Sequence, residues 1–463
     1  MFTSILAVSA MAVAGCSFDE VQQCDEEKTS VVENVPAVEE KSAEQAVEKC
    51  NPLVPQKPFP ASFADVTLTS DENIDFAASP VSLYVACSSL AEIAANGETK
   101  DELLKAVSFL KQRNVSFCGT AMHKATHEER KSMVRHAAFI NLCNVCDKLG
   151  LYATFENAEW QSRTEPNMLL MSNSLWLSNN FELREDTADS RKELCFHTNR
   201  ISMDETGRVE INSFVDKMTR GLIPEFIKEL DPATEAILVN TLYFYANWAN
   251  QFDANKSYEG DFYVKPEEAT KVTYMKNSGQ YLVAETDLYS AITLPYEPIN
   301  VPNCRKNATE TEMVVILPKN NQTNTAALKD YLNAFVNRRL PEFKSDYYDL
   351  TMPKFEINTE LKLTEVLQKL GVKTAFSSKA DFSNLSPAPL SISEVFQNVS
   401  IRVDEKGTEA AAATGIMLMR AMLPPPAKPF VVNRPFAFVI SEKSTNSILF
   451  MGTVCEPKAP VAK

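Results

Sequence analysis

An α+β fold is predicted for this chain from three observations. From residue 168 onwards, β-rich runs alternate with helical stretches. Between Asp204 and Leu230, apolar Ile211, Phe214, Val215, Met218 and Leu222 recur at helical spacing, so that segment reads as one long helix. Hydrophobic residues make up 44% of the 463 residues and charged ones 23%, enough for a sizeable core under an ordinary polar surface. Length alone would suggest two or three domains, but a single large mixed domain is equally allowed.

The N-terminal segments have characters of their own. Residues 1–15 hold an apolar run from Ile5 to Val13 and a small-residue Ala12-Val13-Ala14 pattern, which reads as a secretory signal. The neighbouring Val13-Ala14-Gly15-Cys16 also fits a lipoprotein box in which Cys16 would be acylated, tethering the protein to a membrane. Residues 16–58 are acidic, poor in aromatics and closed by a Pro-containing stretch, the composition of a disordered extension. The net charge of −15 counts against nucleic acid or an anionic membrane surface as partners.

Residues 105–170 read as an insertion around a polar helix. Within it, His123, His127, Cys143 and Cys146 have the spacing of a zinc site turned end for end, but exported cysteines can oxidise, and no metal or other cofactor is expected. Ten cysteines leave the disulfide pairing open, with Cys87 expected as a small buried hydrophobe. Asn114, Asn307 and Asn321 are the glycosylation candidates. Asn398 carries the same pattern but is expected to be buried, and Pro387 disfavours Asn384.

The stretch Glu405-Lys-Gly-Thr-Glu-Ala-Ala-Ala-Ala-Thr414 is the most unusual in the chain. At period two, Thr408, Ala410, Ala412, Thr414, Ile416 and Leu418 fall on one side, all uncharged. Such a side can enter an existing sheet, whereas an unpaired charge buried there would cost several kcal/mol. By propensity alone, four alanines would also suit a helix.

These residues resemble the reactive-loop hinge of the serpins, and further motifs of that family recur in order from Ser79 to Gly452. Ser79-Pro80-Val81-Ser82 with the apolar run to Ala95 resembles the family's helix B, and Ile211-Asn-Ser-Phe-Val215 with Thr219-Arg-Gly-Leu-Ile223 its helix F. Leu238 to Phe244 and on to Phe252 is similar to the third strand of the central sheet. Leu294-Pro-Tyr296, Met313 to Pro318, Thr351-Met-Pro-Lys-Phe355, Asn433-Arg-Pro-Phe436 and Leu449-Phe-Met-Gly452 continue the pattern, and a short first helix is expected between Phe59 and Phe76.

The resemblance implies one domain over 59–457 with a tail at 458–463, three β-sheets, about eight or nine helices and an exposed reactive-centre loop near 405–428. It implies a secreted, monomeric suicide inhibitor of serine proteases rather than an enzyme: the loop is cleaved, inserts as a new strand, and the protease stays attached in a covalent 1:1 complex. Family spacing from Gly407 puts the scissile bond at Ala421-Met422. Chemistry favours Arg420-Ala421, because Arg420 is the sole basic residue between Lys406 and Lys428 and suits a trypsin-like pocket. Glu405, Gly407, Thr408, Ala410, Ala412 and Thr414 form the implied hinge. Glu405 and Lys354 resemble an ion pair above Trp248, and Ser79, Ser82 and Asn240 a polar cluster under the sheet centre. Gln397 stands there where the family usually has histidine. For Ser79, Ser82 and Asn240, ordinary helix capping and turn bonding is the alternative; for the whole chain, a noninhibitory carrier, chaperone or storage serpin.

Overall fold

The computed structural model describes residues 59–68, 73–106, 168–184, 196–219, 221–298, 310–319, 322–408, 426–443 and 447–460. The signal, the extension, the His/Cys group at 123–146, Asn114, Asn307, Asn321 and the loop from Ala410 through Thr414 to Arg420, Ala421 and Met422 lie outside the described residues. The first half of the fold runs α1 (Phe59–Thr67), β1 (Phe76–Ala78), α2 (Pro80–Ile93), α3 (Glu98–Ala106), β2 (Met168–Ser178), β3 (Phe196–Ile201), α4 (Glu205–Met218), β4 (Ala236–Asn247), β5 (Tyr258–Lys265), β6 (Glu268–Glu285) and β7 (Tyr289–Pro295). It continues with β8 (Thr311–Pro318), α5 (Asn324–Val336), β9 (Lys344–Pro353), β10 (Phe355–Lys362), α6 (Thr364–Lys369), β11 (Glu394–Val403), β12 (Gly407–Thr408), β13 (Lys428–Val431), β14 (Phe436–Glu442) and β15 (Ser447–Val454).

The α+β class holds, with a different count of layers. Among the described residues the strands form two sheets, not three: one of six in the order β10-β11-β12-β4-β2-β3, and one of nine built around β6. The reason is the length of β6, whose 18 residues pair with β5, then β9, and finally β7, so two expected sheets share one continuous strand. Six α-helices are described where eight or nine were expected for the whole chain.

Helix α2 starts where the sequence places it. Ser79 caps it in extended conformation, its hydroxyl accepting from Ser82 N, and Pro80 occupies a first-turn position where no N–H is needed. Nearly every residue of α2, Cys87 included, is buried, because it lies beneath the six-stranded sheet within the main core. Burial pushes the Cys87 thiol up to about 12, which keeps it protonated and unreactive.

The helix predicted over Asp204 to Leu230 is shorter. Asp204 caps it through Thr206 N (2.9 Å) and Gly207 N (3.4 Å), but it ends at Met218. The Thr219 hydroxyl turns back to the Val215 carbonyl (2.7 Å), Gly221 takes a left-handed φ of 83°, and Pro224 has no N–H to continue the ladder. Ile223, Phe226 and Ile227 then form a strap that, with Ile211, Phe214, Val215 and Met218, covers Trp176, Ile237, Val239 and Phe396 on the outer face of the sheet. β4 is therefore covered on both faces, which explains its continuous apolar run.

Asn212 joins helix to strap. Its Oδ1 accepts from Phe226 N (3.1 Å) and Ile227 N (2.8 Å), and its Nδ2 donates to the Ile227 carbonyl (2.8 Å), all buried. Replacing Asn212 with alanine leaves two buried N–H groups without an acceptor, so Asn212→Ala should lower stability by about 2–4 kcal/mol in denaturant unfolding. A loss below about 0.5 kcal/mol, the range of neutral surface changes, would show that the strap does not depend on this side chain.

Candidate functional site

The site is a seam in the six-stranded sheet. β4 and β11 run parallel and pair directly from Ile237 opposite Glu394 to Thr241 opposite Asn398. Further along, β12 lies between them and is antiparallel to both: Thr408 pairs with Val403 on one side and Ala246 on the other, and Gly407 pairs with Asn247. Two strands that touch at one end are thus held apart at the other by two residues of the expected hinge.

Each hinge residue fits for a local reason. A Cβ at Gly407 would sit 2.0 Å from the Ala246 carbonyl oxygen and 2.7 Å from Asn247 Cα, so only glycine enters. Thr408 is 2% exposed and faces the core, as the period-two reading requires. Its hydroxyl meets the Tyr296 hydroxyl at 2.7 Å. Burial drives the Tyr296 phenol far above its ordinary range, with the Thr408 bond acting in the opposite direction, so it stays neutral. Trp248 stacks on Tyr296 with centroids 4.5 Å apart and planes 13° from parallel.

The turn before the hinge is clasped by backbone and charge. Trp248 Nε1 donates to the Asp404 carbonyl (2.9 Å), Trp248 N to the Lys406 carbonyl (2.7 Å) and Phe252 N to the Glu405 carbonyl (2.8 Å). Lys354 Nζ lies 2.5 Å from Glu405 Oε1, which also accepts from Ser257 Oγ at 2.5 Å. Burial alone would raise the Glu405 carboxyl, but Lys354 and Ser257 outweigh it and hold it below its ordinary value. Asp404 is shifted the other way, mainly by burial.

Under the sheet centre, four expected residues meet. Gln397 Oε1 accepts from Ser79 N (2.9 Å), while its Nε2 donates to the Ser79 carbonyl (3.0 Å) and to Asn240 Oδ1 (2.8 Å). Asn240 Nδ2 donates to the Ser82 carbonyl (3.0 Å) and to Asn173 Oδ1. The glutamine amide therefore ties helix α2 to both sides of the seam. The capping alternative for Ser79 is true as well, so that residue does both. The side chains of Ser82 and Asn173 retain a buried Oγ and Nδ2 with no partner.

Tyr296, Ser257 and Asn173 belong to this site without having been singled out from the sequence. Tyr296 stood inside the Leu294-Pro-Tyr296 motif, and its long-range meeting with Thr408 leaves no trace in spacing. Ser257 and Asn173 carried no signal beyond being small and polar.

A model of the family described as serpin (serine protease inhibitor) matches residues 61–457. This chain belongs to the serpin family. The serpin is 35% identical over 260 residues to an alpha-1-antitrypsin homolog of Cyprinus carpio, a match spanning 56% of this chain and 66% of the carp protein. It is 32% identical over 313 residues to a plasma serine protease inhibitor of Bos taurus, across 65% of this chain and 72% of the bovine one. Among solved structures, human thyroxine-binding globulin superposes with a TM-score of 0.66 at 25% identity, over 86% of this serpin and 96% of that chain. Mouse protein-Z dependent protease inhibitor does so with 0.64 at 24% identity, over 86% and 95%.

The charge clasp has a defined pH signature. Because the folded-state value of Glu405 is depressed, its contribution is complete above the unfolded carboxylate value of about 4.3 and is lost as pH falls through the folded value. Glu405→Gln should therefore cost about 1–3 kcal/mol at pH 7, moderated by the partial exposure of Lys354. The gap from the unmodified serpin should close as the pH falls below about 4, followed by melting temperature against pH. A gap independent of pH would exclude the carboxylate as its source.

Proposed function

We propose that this serpin inhibits a serine protease as a suicide substrate. The observation that carries the reading is the seated hinge: Gly407 and Thr408 already occupy the slot between β4 and β11 in the direction a following strand needs. The protease serine would attack the carbonyl of Arg420, with Ala421-Met422 as the alternative bond, and the amine of the next residue would leave. An ester then joins protease to serpin in a 1:1 complex. Before water hydrolyses it, residues from Thr408 through Ala410, Ala412 and Thr414 add to the sheet and drag the protease with them. The gain is ladder hydrogen bonds and buried apolar surface. Displacing an oxyanion hole and its triad slows deacylation by about 10²–10³-fold per lost donor, long enough to trap the enzyme.

Arg420 points to a trypsin-like target, since a guanidinium is rewarded by a bidentate carboxylate in the specificity pocket. We read residues 1–15 as a secretory signal, 16–58 as an extension and 59–457 as the inhibitory domain, with Asn114, Asn307 and Asn321 glycosylated in an extracellular protein. Acylation of Cys16 would instead tether it. Among the described residues, no helix is long and apolar enough to cross a membrane. The likeness to thyroxine-binding globulin favours a second reading, a noninhibitory carrier; the uncharged, mostly small inward side of the loop favours inhibition.

Mixed with trypsin, the serpin should give a complex that survives detergent and heat, and a released C-terminal peptide beginning at Ala421. Clean cleavage without a complex would support the carrier. Thr408→Arg should still be cleaved but should no longer trap, because the arginine would have to be buried where Thr408 meets Tyr296. Undiminished trapping by that variant would contradict insertion along this register.

A further inference from the structure

Asn433-Arg434-Pro435, in the bend between β13 and β14, takes no part in the seam. The bend is fixed at three points: Val432 N donates to the Thr351 carbonyl (2.8 Å), Tyr263 N donates to the Asn433 carbonyl (2.8 Å), and Pro435 is buried. Arg434 is partly buried, and its guanidinium turns to the end of β8. Nε and Nη2 both donate to the Pro318 carbonyl, at 3.1 and 2.7 Å, and Nη1 lies 3.5 Å from Asn433 Oδ1.

A guanidinium carries five N–H groups in a flat fork. Here Nε and the Nη2 hydrogen beside it form one edge, and that whole edge is spent on a single carbonyl oxygen. The edge shared by Nη1 and Nη2 keeps one N–H from each nitrogen, and the long Asn433 contact engages at most one of them. Among the described residues no carboxylate meets Arg434. Two other partly buried arginines differ: Arg208 has Glu205 at 2.6 Å and Glu225 at 3.5 Å, and Arg402 has Glu356 at 3.3 Å. Lys319, next to Pro318, adds a second positive charge, and the acid beside it is already engaged, since Glu285 accepts from Lys319 Nζ and from Ser290 Oγ (2.8 Å). Burial therefore holds the Arg434 guanidinium below its ordinary value, with no opposite charge to offset it. A partly buried cation without a counter-charge is costly, because its lost hydration is not replaced.

We infer that Arg434 anchors a binding site for a small oxyanion, phosphate or sulfate. Two oxygens of one such anion match the Nη1/Nη2 edge, the two-pronged pairing that guanidinium geometry favours. The bound charge balances the surplus of Arg434 and Lys319 over Glu285. A lysine at this position would supply the charge without the fork. Because β13 is the first described strand after the expected reactive loop, a bound anion braces the bend behind it. The site stands whether or not the loop inserts.

Titration calorimetry of the intact full chain with inorganic phosphate, at constant ionic strength, should show one saturable site per chain. At about ten times its Kd, phosphate should raise the melting temperature by about 1–3 °C over chloride of equal ionic strength. Arg434→Lys, which keeps the charge and can still donate to Pro318, should bind phosphate about tenfold more weakly. Phosphate also stabilises folded proteins by exclusion from their surface, so the informative quantity is the difference between the unmodified chain and the variant. Equal affinity and an equal rise in Arg434→Lys would overturn the site. Absence of saturable uptake by the unmodified chain in the millimolar range would overturn it too, even if the variant failed to fold.

Discussion

Everything in this molecule turns on the contact between two parallel strands that is complete at one end only. β4 and β11 share direct pairs up to Thr241 and Asn398, and β12 holds them apart at Ala246 and Val403. Parallel neighbours with an antiparallel wedge at one end define both a slot and the direction in which it can be filled. The polar cluster at the sheet centre, Gln397 on Asn240 and Ser79, and the clasp at its entrance, Glu405 with Lys354 and Ser257, are the two groups of side chains that the proposed opening would meet.

The layers above and below the seam would both take part in the proposed insertion. Underneath, α2 presents Ser79 and Ser82 to the polar cluster from within the main core. Above, α4 and its strap cover Ile237, Val239 and Phe396, the very stretch where the strands still touch. Opening the seam along its length must therefore disturb a second, smaller apolar cluster closed by Asn212. The proposed insertion requires a barrier of that kind, since a favoured state that could be reached freely would be occupied from the start.

Much of this was legible because local chemistry decided it. Ser79-Pro80 announces a capped helix start, and the period-two side of the loop put Thr408 inward, where it lies. The helix over Asp204 to Leu230 was overextended for a physical reason: Ile223, Phe226 and Ile227 are apolar because they cover the sheet, and a covering strap carries the same apolar content as one more helical turn. Gly221 and Pro224 were the stop signals. The merging of two sheets through β6, the stacking of Trp248 on Tyr296, and Ser257 on Glu405 all join positions distant in sequence, and spacing cannot encode them.

Amide hydrogen exchange across the seam tests the central claim most directly. Residues 242–245 of β4 and 399–402 of β11 have no pairing to one another in the described ladders. If the cleaved loop fills the slot, amides in these two stretches should become markedly more protected after cleavage at the reactive bond, together with those of 409–416. Unchanged protection on both strands would mean that the seam receives nothing, and the account of a trap built on strand insertion would be wrong.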